Sequence, residues 1–168
     1  MATNPHTVDR LPRRKLLQCG VAALLGALGG PLYANPAATR PLIEVWKTPT
    51  CGCCKDWIRH LESEGFAVKF HDLPQARKDE QRRRLGLADK YGSCHTGLVG
   101  GYVLEGHVPA REIHRLLKEK PQALGLAVPG MPVGSPGMDG PEYGGHQDPY
   151  EVLLVQRDGS ARVYQAYR

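Results

Sequence analysis

Three thiols within four residues, Cys51-Gly52-Cys53-Cys54, constrain this chain more than any other stretch. They follow an apolar, β-branched run over residues 42–47 that reads as a buried strand. They precede a run over residues 55–64 that reads as an amphipathic helix. The junction therefore sets the sulfurs at a helix N-terminus, where unpaired backbone N–H groups and the positive end of the helix dipole favour thiolate over thiol. Thiolate is both the nucleophile of disulfide exchange and the ligand of soft metals. Redox exchange and metal binding are the two chemistries the motif offers, with structural cross-linking as the third.

The surrounding pattern predicts the fold. The helix after the cysteines puts Cys54, Trp57, Ile58 and Leu61 on one face, and Gly65 stops it. Residues 66–73 alternate as a second strand, parallel to the first through the helical crossover. Pro74 opens a strongly charged helix that ends near Leu85-Gly86. After a loop carrying Cys94-His95-Thr96, residues 97–99 and 102–105 read as a hairpin about Gly100-Gly101. Pro109 opens a third helix with Ile113, Leu116 and Leu117 as its apolar stripe, stopped by Pro121. The order β-α-β-α-β-β-α is that of an α/β, thioredoxin-like core, in which a Cys-x-x-Cys sits where the first strand gives way to the first helix. Residues 128–149 then form a Gly/Pro-rich loop holding Met131 and Met138, with no usable period. A loop of that length reads as functional or covering. Residues 151–155 and 162–164, about Asp158-Gly159, read as a closing hairpin.

The N-terminus has the three parts of an export signal: basic Arg13-Arg14-Lys15, an apolar stretch over residues 16–28, and small residues near Ala34. Pro12-Arg13-Arg14-Lys15-Leu16-Leu17-Gln18 resembles a twin-arginine signal. The apolar stretch is shorter than the roughly 20 residues that span a bilayer, which argues against an uncleaved anchor. This gives an export signal over 1–34, a linker over 35–41 and one domain over 42–168, placed in the periplasm with no stable membrane span after cleavage. The formal net charge is +5, of which Arg10, Arg13, Arg14 and Lys15 against Asp9 supply +3. With so little basicity left in the domain, no nucleic-acid footprint is expected. Arg82-Arg83-Arg84, beside Asp79 and Glu80, reads as a solvated helix face.

Cleavage leaves Cys51, Cys53, Cys54 and Cys94. A disulfide framework would spread its cysteines to close useful loops, and neighbours Cys53 and Cys54 do not bridge easily. An oxidoreductase needs Cys51 and Cys54 but gains nothing from Cys53, and the loop expected to carry a cis-proline facing them carries Cys94 instead. Three sulfurs on one turn plus Cys94 reach several bridged Cu(I) ions more naturally than one tetrahedral Zn²⁺. The thioethers of Met131 and Met138 also suit Cu(I), against the alternative that they pack the loop on the core. His95 is the best-placed imidazole, ahead of His107, His71 and His146. His60 and His114 read as surface residues.

Several segments together resemble the CopG-like copper-resistance proteins. They are Thr48-Pro49-Thr50-Cys51-Gly52-Cys53-Cys54-Lys55-Asp56-Trp57, Cys94-His95-Thr96, Glu105-Gly106-His107-Val108-Pro109-Ala110, and Gly125-Leu126-Ala127-Val128-Pro129-Gly130-Met131-Pro132 with Gly134-Ser135-Pro136-Gly137-Met138. The resemblance implies copper binding through Cys51, Cys53, Cys54 and Cys94 in a periplasmic setting of copper tolerance. Its partners would be copper ions and other periplasmic copper-handling proteins. It leaves turnover, as a copper oxidoreductase, open beside simple binding. A thioredoxin-like thiol–disulfide oxidoreductase and a zinc-stabilised interaction module remain the competing classes.

Overall fold

A computed structural model of the chain describes residues 40–168. The export-signal reading of 1–34, and the linker reading as far as residue 39, lie outside the described residues. The elements run β1 Leu42–Lys47, α1 Gly52–Ser63, β2 Ala67–Asp72, α2 Gln75–Arg84, β3 His95–Val99, β4 Tyr102–Glu105, α3 Ala110–Glu119, β5 Gly125–Ala127, β6 Tyr150–Val155 and β7 Ala161–Tyr167. The expected order of the first seven is present, and the fold is α/β.

All seven strands join one mixed sheet in the order β2-β1-β3-β4-β5-β6-β7. β1 and β2 are parallel, as a helical crossover requires, while β3 runs antiparallel to both β1 and β4. Gly100 and Gly101 both have positive φ, the backbone a tight β3–β4 turn demands. The closing hairpin is present as β6 and β7. It does not stand apart, because β5 pairs parallel with β4 and antiparallel with β6. A Cβ on Gly125 would fall 1.8 Å from the Val103 carbonyl oxygen, so only glycine allows this strand to lie so close to β4.

The sheet carries a core on each face. On one, Ile43, Val45, Leu104, Leu126, Val152 and Leu154 pack with Trp57, Ile58 and Leu61 of α1 and Ile113 and Leu116 of α3. On the other, Val103, Ala127 and Val155 pack with Leu87, Tyr91 and Leu124. The buried residues of α1 are the four on its expected apolar face. α2 departs from expectation. Arg83 and Arg84 are exposed, but Arg82 is 6 % exposed and Lys78 is fully buried, so the helix packs through cations instead of presenting them all to water. Among the described residues, no helix is long and apolar enough to cross a membrane.

Candidate metal centre

α1 begins at Gly52, earlier than the apolar pattern suggested, with Cys51 at its N-cap. Cys53 and Cys54 therefore lie in its first turn. Cys94 ends the loop into β3, which pairs with β1, and so returns to the same end of the sheet. The four sulfurs lie within 4.8 Å of one another. Cys51 and Cys54 are joined in a disulfide, while Cys53 and Cys94 are free thiols. The reading of four thiolates thus applies to the reduced chain, and the state described here is oxidised. The Cys53 sulfur is 3.5 Å from that of Cys51 and 3.9 Å from that of Cys94.

A second group shares Cys94. Its sulfur lies 3.2 Å from His95 Nδ1 and 3.1 Å from His107 Nε2, and both imidazoles are fully buried. His107 Nδ1 is 2.8 Å from the Pro136 carbonyl oxygen. A carbonyl only accepts, so Nδ1 carries the proton and Nε2 turns its lone pair to the sulfur. A backbone carbonyl on the far ring nitrogen is the arrangement that fixes the tautomer of a metal-ligating histidine. His95 lies tilted against Trp57, with 4.1 Å between ring centroids, and its Nε2 is buried without a partner. Burial, and then the neighbouring His107, hold His95 well below the usual imidazole range, and burial lowers His107 as well. Burial and the Cys53 sulfur push the Cys94 thiol up to about 12. Cys94 lies in the loop before β3 and not on α1, so the helix-dipole expectation drawn from the sequence does not extend to it.

His107 outranks the position the sequence reading gave it. The signal was available: the hairpin pairs Thr96 with Glu105, and counting outward from Gly100-Gly101 sets Cys94 opposite His107. The methionines separate. Met138 is 9 % exposed, and its sulfur accepts the Tyr143 hydroxyl at 3.2 Å. Its neighbour Gly137 sits so tightly on α1 that a Cβ there would fall 2.6 Å from the Cys53 carbonyl oxygen and 2.7 Å from the Trp57 nitrogen. This part of the 128–149 loop covers the cysteine turn. Met131, 53 % exposed, lines a groove of about 590 Å³ with Pro129, Pro132, Asp148 and Tyr150, and no cysteine or histidine lines it. His71 and His146 are occupied by Glu44 and Asp148, and His60 accepts the Ala110 N–H at 3.1 Å.

The donor set is sulfur and imidazole with no carboxylate, which fits a soft, thiophilic ion better than a hard one. A solved structure described as copper resistance protein CopG, form 2, is 46 % identical, with a TM-score of 0.70, and the match covers 77 % of this chain and 99 % of that one. Form 1 of the same description is 47 % identical over 75 % of this chain and 96 % of that one, with a TM-score of 0.68. The chain belongs to the CopG family of copper resistance proteins. Residues 91–138 also match a family described as a protein of unknown function, DUF411. That segment holds Cys94, His95, His107 and both loop methionines of this CopG family member. No curated protein matches the chain.

Proposed function

We propose that this CopG family member is a periplasmic copper-binding protein of copper tolerance, exported through its twin-arginine-like signal. In the reduced chain, Cys51, Cys53, Cys54 and Cys94 hold Cu(I), with His107 and His95 completing the coordination on the Cys94 side. One observation carries this: two ligand groups, one all sulfur and one sulfur with two imidazoles, converge and share Cys94. A shared thiolate suits more than one bridged Cu(I) ion better than one tetrahedral zinc. Other periplasmic copper-handling proteins would donate and accept the ions. Competition of the reduced protein against a Cu(I) chelator, with and without zinc, tests the metal. Equal displacement of copper by zinc at equal concentration defeats the proposal. Cys53→Ser should lower loading about as much as Cys51→Ser, whereas an oxidoreductase that uses only Cys51 and Cys54 tolerates the first change.

The Cys51–Cys54 disulfide favours a second reading, in which the same site also redox-cycles copper. Two Cu(II) ions each accept one electron as the two thiols lose two electrons and two protons and join. An external dithiol resets the pair by exchange. Anaerobic addition of Cu(II) to the reduced protein should consume two thiols for every two Cu(I) formed. Disulfide exchange with peptide substrates, without retention of Cu(I), would instead establish the thiol–disulfide oxidoreductase.

A further inference from the structure

The two buried residues of α2 are Lys78 and Arg82, on a helix with no apolar stripe. Lys78 Nζ donates to the Ser93 carbonyl oxygen at 2.7 Å and lies 3.0 Å from Asp79 Oδ1. From the other side, fully buried Glu105 of β4 accepts the Ser93 N–H at 2.7 Å through one oxygen and the Thr96 hydroxyl at 2.6 Å through the other. Arg82 stands 3.7 Å from Glu105 and also pairs with Asp79 and Asp89. Both backbone polar groups of Ser93 are therefore held by ionisable side chains from two different elements, and the Glu105 anchors bracket Cys94. The chain has no proline at this turn to stiffen it. Withdrawing these polar groups from water opposes folding, and an apolar contact of similar volume often stabilises as well, so what they add at Ser93 is geometry.

We propose that Lys78 and Glu105 are positioning residues for Cys94. They clamp the Ser93 peptide so that the Cys94 sulfur stays at 3.9 Å from Cys53 and 3.1 Å from His107. Lys78→Met removes the clamp's cation while keeping most of its volume, and Glu105→Gln keeps the shape and weakens the grip on Ser93 and Thr96.

The test has a metal-free arm and a copper arm, and only the second rests on the copper reading. In the metal-free folded protein, alkylation by iodoacetamide is followed at Cys53 and Cys94 separately. Lys78→Met should speed the reaction at Cys94 and leave Cys53 unchanged, with Glu105→Gln giving the same pattern more weakly. Equal acceleration at both thiols, or at neither, overturns the proposal. Should Lys78→Met fail to fold, Glu105→Gln decides by the same criterion. In the copper arm, Lys78→Met should cost about tenfold in Cu(I) affinity in the wild-type background and under about twofold in Cys94→Ser, the signature of residues that act through one another. The same cost in both backgrounds shows that Lys78 does not act through Cys94. If the wild type retains no Cu(I), the copper reading fails while the alkylation arm still decides the clamp.

Discussion

The Cys94 thiol, held up to about 12 by burial and by the Cys53 sulfur, keeps its proton at neutral pH until something replaces it. Loading a metal there must release that proton, so apparent affinity should fall on acidification. Cu(I) titration in weak buffer with a pH indicator should register proton release, and Cys94→Ser should remove one proton from the total. The methionines differ in a way the sequence did not show, because both occupy Pro-Gly-Met contexts in one loop. Met138→Leu should weaken copper retention and Met131→Leu should not, in the same chelator competition, since only Met138 belongs to the part of the loop seated on the cysteine turn. Unchanged retention in both variants would make the thioethers packing atoms. The grouping of Cys51, Cys53 and Cys54 was legible from spacing, and that of Cys94 with them from the loop the expected fold places opposite. His107 was legible only through hairpin register, and Lys78 was hidden because a charged helix gives no period that distinguishes a buried cation from a solvated one.

At the scale of elements, the loop over residues 128–149 makes its closest approach to α1 at one glycine. Gly137 has φ of +87° and no room for a Cβ between it and the start of α1. Gly137→Ala should therefore destabilise the fold by about 2–4 kcal/mol, from the left-handed backbone and the overpacked contact together. Thermal unfolding and the alkylation rate of Cys53 check this, since a lifted loop uncovers the thiol. Helices and longer strands were readable because their periods repeat. β5 was not, because three residues complete no period and its defining feature, the absence of a side chain at Gly125, concerns distance to a strand far away in sequence. His60 was read as surface for a related reason: its partner, the Ala110 N–H at the start of α3, comes from another element.

Across the described residues, two buried histidines and one half-buried one set the response to acid. His60, His95 and His107 all lie below the ordinary imidazole value, chiefly through burial. The unfolded chain then takes up protons near pH 6.5 that the folded chain still refuses, so stability is lost as pH falls from that value. Glu105, raised to about 7 by burial, works the other way: folded, it stays protonated up to about that pH, and its contribution is lost as pH rises from about 4.5 towards 7. Three groups oppose one below pH 6.5. The melting temperature of the metal-free protein should fall between pH 6.5 and 5, and a rise over that interval would place the histidines' charges elsewhere.

Ala127 pairs with Leu153 across β5 and β6, so both ends of the covering loop are fixed to neighbouring strands of one sheet. The closure of such a loop depends only weakly on its length, at about 0.6 kcal/mol per doubling. Its exposed tip at Gly144-Gly145 has open space around it, and the positive φ of both residues favours glycine there. Length at that tip is therefore a nearly independent variable: a chain could lengthen or shorten the cover there without renegotiating the sheet that holds the cysteine and histidine cluster in place.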